Sequence, residues 1–273
     1  MIGKKFVKSE IIYIPAQVKL LKYFACTYAC DQCEKKTGFA NIVGTVAPPS
    51  LMKHSLASPS SVAEVMTKKY VDGVPLTRQE KIWKREGIEL SSATLANWVI
   101  QTSQNWLKPL YRRLKHALLE STVIHADETV VQVLKEDGKK ASSQSRMWVY
   151  ASPERGGKPI RYFEYQREFL CAFLQHGEVE ISNNPAENAI RPFVVGRKNW
   201  LFSDTPKGAD SSAIVYTLVE TAKANGIDPY AYLLRVLSLL PYFGKSPSNE
   251  ELDQLLPWHQ RMRESLLFKD NTI

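Results

Sequence analysis

The chain is 273 residues long and 44% hydrophobic, with six Trp, twelve Tyr and ten Phe. That is enough apolar material for a core, which excludes wholesale disorder, and the length allows one large domain or about two or three smaller ones. Lysine and arginine outnumber aspartate and glutamate by 36 to 28, so the net charge of +8 favours polyanionic partners, nucleic acid first.

Residues 10–24 read as two short strands, with Pro15 and Ala16 between them where a proline breaks no ladder. Their charged positions, Glu10, Lys19 and Lys22 with Gln17, interrupt every apolar window that could serve as a signal peptide, and no run approaches the roughly 20 apolar residues of a membrane helix. Cys26, Cys30 and Cys33 crowd together while Cys171 stands apart. This is not the spread of a secreted disulfide framework, so a reducing cytoplasm is the expected location. Residues 44–61 are rich in Pro, Ser and Gly and read as a linker.

Residues 62–120 read as mostly helical. A charged helix runs from Arg78 to Glu86 and stops at Gly87; Ser91 or Ser92 caps the next, whose positions Leu95, Trp98, Val99, Thr102 and Trp106 recur at helical spacing. Pro109 bends that helix or opens another, with Leu110, Leu114 and Leu118 on one face. The β-branched run 122–134 reads as a strand, Asp137-Gly138 as a turn, and 146–151 and 159–165 as two further strands of an antiparallel meander. From Glu168 the pattern returns to helix. Ser211 to Ala224 carries Ile214, Val215, Leu218, Val219 and Ala222 on one face and stops at Asn225-Gly226. Asp228 then caps a helix with Pro229 at its first position, ending at Pro241, and the polar tail after Gly244 is expected to be loosely held.

Several groups could carry chemistry. Cys30 and Cys33 form a C-x-x-C pair able to grip one edge of a tetrahedral zinc, with Cys26 as a third candidate; ordinary reduced thiols are the other reading. Residues 76–100 are either a helix-turn-helix presenting Ser92, Thr94 and Asn97 or a plain helical hairpin. Asp127 sits within an apolar strand, where a buried carboxylate needs a cation or hydrogen bonds; a solvated strand-edge aspartate is the alternative. Its neighbour Glu128 points to the opposite face. Glu187 is placed to favour the positive end of a helix opened by Asn183 or Asn184 and Pro185, a purely structural role. Residues 191–200 mix cations with aromatics, as phosphate and base contacts require and as a packed helix also shows.

Read together, these segments resemble the insertion sequence 66 transposase family. The match is carried by Tyr13-Ile14-Pro15-Ala16-Gln17-Val18, Tyr28-Ala29-Cys30-x-x-Cys33, Lys69-Tyr70, Pro75-Leu76-x-Arg78-Gln79-Glu80, His125-Ala126-Asp127-Glu128-Thr129, Asn183-Asn184-x-Ala186-Glu187 and Gly196 to Phe202. The resemblance implies a ribonuclease-H-like core with three metal-binding carboxylates in the order Asp, Asp, Glu, of which Asp127 is the first and Glu187 the last. It also implies two Mg²⁺ ions (or Mn²⁺), one activating the attacking oxygen and one stabilising the leaving oxygen. Within the cation and aromatic run 191–200, Arg191, Arg197, Lys198, Asn199 and Trp200 are the candidate DNA contacts. Zinc at Cys30 and Cys33 is implied as an incomplete site, because the family's earlier Cys pair precedes the first residue here.

The second Asp of the family's triad has no counterpart. The text jumps from the third strand to the Asn-Asn-x-Ala-Glu helix near Gln166 and Arg167, Asp137 lies in a hairpin turn, and Glu164 is the one nearby acid that could substitute. The resulting fold class is α/β (α+β): a truncated ribonuclease-H-like core of three antiparallel strands, flanked by helical segments and an N-terminal zinc-ribbon remnant. The expected segments are 1–47 zinc-ribbon-like, 48–121 helical and helix-turn-helix-like, 122–204 the truncated core, and 205–273 a C-terminal helical domain.

Three functional expectations follow. The chain is a transposase that cuts and joins DNA with impaired catalysis, a non-catalytic DNA-binding remnant, or a decayed reading frame. The partners implied are DNA (element ends and target) and a homo-oligomer or accessory transposition proteins; no membrane is implied.

Overall fold

The computed structural model describes residues 10, 11, 16–153, 158–165 and 184–267. Contacts divide the chain into two units, residues 1–48 with 85–88, and residues 49–84 with 89–273.

In the first unit, β1 (Thr27–Cys30) pairs antiparallel with β2 (Asn41–Gly44) around α1 (Asp31–Thr37). The hairpin is closed at its open end by Cys26 and Thr45: the Cys26 N–H donates to the Thr45 hydroxyl at 2.8 Å, and the Thr45 N–H to the Cys26 carbonyl at 2.9 Å. Gly38 ends α1 at φ +75°, and its N–H donates to the Glu34 carbonyl. The two strands expected over 10–24 are not formed in residues 16–24, and residues 12–15 lie outside the described chain. A β-branched run makes a strand only where a second backbone lies beside it, and the backbone beside β1 is β2.

The second unit opens with α2 (Pro59–Tyr70), so the last residues of the expected linker are helical. Ser58 and Ser61 form a reciprocal capping box that starts the helix there. The linker is also anchored: Leu51 is buried, and its carbonyl accepts from the Trp106 indole N–H at 2.8 Å. Helix α3 (Leu76–Arg85) and helix α4 (Ser92–Thr102) follow. Ser91 caps α4, and Leu95, Trp98, Val99 and Thr102 are buried as their spacing predicts. A single π-helical turn, Ser103–Leu107, joins α4 to α5 (Lys108–Leu119), with Pro109 in the first turn of α5.

The expected meander is present as β3 (His125–Val133), β4 (Gln144–Ala151) and β5 (Arg161–Tyr165), all antiparallel. Helix α6 (Asn184–Trp200) leads to a two-residue strand, β6 (Phe202–Ser203), which adds parallel to β3 and makes the order β5-β4-β3-β6. One sheet face carries Val149 and Phe163, with Phe163 against Phe193 of α6 at a ring distance of 6.4 Å. The other face carries Tyr162, stacked 4.5 Å from Tyr111 of α5.

Helix α7 (Pro206–Ala224) begins earlier than its apolar pattern indicated and is buried on all sides rather than along one stripe. Its buried serines, threonines and Glu220 find partners instead of water. Thr217 and Thr221 hydroxyls accept from the N–H groups of Phe163 and Arg161 on the outer edge of β5, at 2.8 and 3.1 Å. Helix α8 (Pro229–Phe243) starts as read, with Asp228 accepting from the Ala231 N–H at 2.7 Å, but runs past Pro241. The tail is not loose as far as it is described: α9 (Asn249–Asp253) and α10 (Gln260–Leu267) form, and Leu252, Leu255, Leu256 and Met262 are buried.

Candidate functional site

Asp127 stands opposite Val149, which stands opposite Phe163, so the three side chains share one sheet face. That is the face covered by α6 and α7. Asp127 is half-buried, and its Oδ1 accepts from the Glu128 backbone N–H at 2.8 Å. Glu187 lies in the first turn of α6 and is exposed. The two acids singled out in the sequence therefore lie on the same side of the sheet, one on its central β3 and one on the helix packed over it.

The remaining acids of the sheet belong to the opposite face. Glu128 pairs with Arg146 there. Glu164, the substitute considered for the missing carboxylate, stands across from Trp148 and Glu128 and is held by Lys115 of α5 at 2.7 Å. Strand alternation excludes it from the side of Asp127. Asp137 lies in the β3–β4 connection, next to Gly138 at φ +74°. Among the described residues no three His, Cys, Asp or Glu side chains converge as a metal site needs.

Helix α6 sorts the five candidate DNA contacts. Ala186, Ala189, Ile190, Phe193 and Gly196 face the core. Arg197 is half-buried and its guanidinium donates to the Val130 carbonyl of β3. The Trp200 ring packs edge-on against Tyr70 of α2 at 6.2 Å, beneath the Lys69 ammonium at 5.5 Å. Both are engaged within the fold. Arg191, Lys198 and Asn199 are exposed on the same helix.

Two adjacent residues of the Pro75–Glu80 motif form joints. Gln79, fully buried, donates from Nε2 to the Val65 and Val74 carbonyls at 3.2 and 3.0 Å and ties α2 to α3. Glu80 accepts from the Ser92 N–H at 2.9 Å, which puts a carboxylate on the N-terminus of α4 and holds its own pKa below the usual range. Ser92 and Thr94 of the possible recognition helix are half-buried, and Asn97 is exposed.

In the first unit, Cys30 precedes α1 and Cys33 lies in its first turn. A hydrogen bond with Cys30 is the main cause that pushes the Cys33 thiol up, so the C-x-x-C spacing does bring these two sulfurs together.

A cleft that the sequence did not reveal lies between the α2–α3 connection and the outer flank of α6. It encloses about 320 Å³, bordered by Asp72, Gly73, Asn188, Arg191, Asn199 and Lys223 among others. The Asp72-Gly73 pair is the turn signal in the sequence that could have marked it, and Gly73 adopts φ +69° there. A larger cleft of about 650 Å³, flanked by Arg113, Lys158 and Trp258, lies elsewhere in the unit.

Among the described residues no helix is long and apolar enough to cross a membrane. No solved structure matches this chain. The chain is 39% identical to Uncharacterized protein y4hP of Sinorhizobium fredii (strain NBRC 101917 / NGR234) over 101 residues, which is 37% of this chain and 18% of that protein. It is equally identical to Uncharacterized protein y4qI of the same organism over 100 residues, again 18% of the relative's length. Uncharacterized protein y4jD is 20% identical over 384 residues, 90% of this chain and 73% of the relative. That span is longer than the chain itself, so the relative carries sequence inside it that this chain lacks. The family described as "Transposase IS66 family" matches residues 54–169 and 156–211, and "IS66 C-terminal element" matches residues 217–258. The first of these alone takes in more than half of the chain, including the sheet, α6 and the motifs around Asp127 and Glu187, and the chain therefore belongs to the IS66 transposase family.

Proposed function

We propose that this chain takes part in DNA transposition as a DNA-binding protein whose own strand cleavage is impaired. The observation that carries the reading is the position of Asp127 on β3, on the sheet face covered by α6, with Glu187 in the first turn of that helix. An antiparallel meander with a helix packed over its first strand is compatible with a ribonuclease-H-like core. Phosphodiester chemistry in such a core uses two divalent ions, Mg²⁺ or Mn²⁺, clamped by carboxylate oxygens.

The described residues do not fit that pair of ions. Asp127 and Glu187 would offer oxygens from one side, while Glu128 and Glu164 are turned away and neutralised by Arg146 and Lys115. Two carboxylates are too few to fix two dications and leave open positions for substrate, and cleavage would need a further carboxylate, from another copy of the chain or an accessory transposition protein. Zinc fits no better, since Cys30 and Cys33 provide two sulfurs and a structural site takes four ligands. DNA binding is supported by the net charge of +8 and by the exposed Arg191, Lys198 and Asn199 on α6.

The test pairs binding with nicking on the full chain. Salt-dependent DNA binding without nicking in Mg²⁺ or Mn²⁺ is the expected result. Metal-dependent nicking that Asp127→Ala abolishes would replace this reading with an intact nuclease. Absence of DNA binding at low salt would remove it altogether.

A further inference from the structure

We propose that the 320 Å³ cleft between the α2–α3 connection and α6 receives one unpaired nucleotide of a DNA strand, a role that rests on the DNA-binding reading above. The lining argues for a whole nucleotide rather than a bare phosphate. Exposed Arg191 supplies a cation for the phosphate, and Lys223, which also pairs with Glu220 at 2.8 Å, borders the same cleft. Asp72 would repel a lone anion. Beside the Asn188 and Asn199 amides it instead completes a mixed set of donors and acceptors, which is what the edge of a base presents. Burial, with Glu64 nearby, raises the carboxyl of Asp72, while Lys68 and Lys223 oppose that rise.

The backbone supports the same assignment. Pro192 lies within α6 and has no N–H, so the Asn188 carbonyl one turn earlier loses its helical donor, and both residues line the cleft. Gly73 has no side chain where one would stand 2.7 Å from the Asn199 amide nitrogen, so the amide reaches the rim unobstructed. Val195 and Pro192 give an apolar wall for a base face. The volume sits at the small end of ligand cavities, about 300–1,000 Å³, with room for one nucleotide and not for a base pair. A base must therefore leave the stack to enter.

The test uses the full chain and two oligonucleotides of equal length, one fully paired duplex and one with a single unpaired 2-aminopurine. The unpaired form should bind about tenfold tighter, with a change in 2-aminopurine emission that reports its new surroundings. Asp72→Asn and Asn188→Ala should each bring the affinity ratio towards one, read on proteins whose thermal melts match the parent. Arg191→Ala should weaken both DNAs and flatten the salt dependence. A ratio near one for the parent chain, or a ratio that survives both cleft variants, overturns the proposal while leaving DNA binding standing. Failure to bind either oligonucleotide overturns the DNA-binding reading, and the cleft assignment with it.

Discussion

Arg113 on α5 meets Asp253 at the end of α9 through two contacts, Nε to Oδ1 at 2.6 Å and a terminal guanidinium nitrogen to Oδ2 at 3.1 Å. This two-pronged geometry clamps the C-terminal helices to α5 from residues far apart in sequence. Both side chains are part-exposed, so screening limits the pair to about 1 kcal/mol. Asp253→Ala should lower the melting temperature by a few degrees and speed amide exchange in α9 and α10 more than in α7. Uniform exchange across all three helices would argue against a local clamp.

Two glutamates should pull stability in opposite directions with pH. Glu80 is held below its ordinary value of 4.5, first by the Ser92 backbone N–H, so its contribution is present above that value and lost as pH falls through its folded pKa. Glu220 on α7 is raised above 4.5, first by burial, with Lys223 and Arg161 pulling the other way. Its contribution is complete below 4.5 and is lost as pH rises through its folded pKa. Urea melts between roughly pH 3 and pH 8 should show Glu80→Gln flattening the acid limb and Glu220→Gln flattening the decline above it. Parallel profiles for parent and variants would contradict both assignments.

Gly196 leaves room for the Tyr216 hydroxyl and the Trp200 ring, both of which an added Cβ would strike. Gly196→Ala should cost about 1–3 kcal/mol by overpacking. The Tyr216 hydroxyl is buried and has no hydrogen-bond partner among the described residues, so Tyr216→Phe should be nearly neutral and should restore part of the loss in the double variant. Denaturant midpoints of the four proteins form the cycle, and strict additivity would show that the collision is not with this hydroxyl.

Gln79→Leu keeps the volume of the side chain but removes the donor to the Val65 and Val74 carbonyls. Leaving buried acceptors unmet costs about 1–3 kcal/mol. The loss should appear in the melt together with faster exchange at the α2–α3 connection, and a melt equal to the parent's would show that water replaces the amide.

What could be read from the sequence was what local chemistry specifies. Ser91, Asp228 and the Asn225-Gly226 stop act on their own helix ends, and their helices begin or end as expected. The three strands of the meander were marked by β-branched runs and a turn. Strand β6 was missed because two residues carry no periodicity, and only the distant β3 makes them a strand. The capping box at Ser248 and Glu251 stood in the tail unread, and its anchor on Arg113 is not local. The sequence of α6 held a further signal: apolar positions at spacings of three and four from Ala186 to Phe193 predict which side of the helix is inward. That pattern carries on to Arg197 and Trp200, the two residues engaged within the fold. The C-x-x-C pair did place two sulfurs together, while nothing local told how many further ligands would join them.

The enclosure of α7 sets an order on the birth of the protein. Strands β3, β4 and β5 leave the ribosome first, and the hydroxyls of Thr217 and Thr221 that satisfy the outer backbone edge of β5 emerge only some fifty residues later, at synthesis rates of about 5–20 residues per second. For several seconds the nascent sheet carries an uncovered apolar face and an unpaired edge, which is the interval in which a chaperone, or another nascent copy, has access to it.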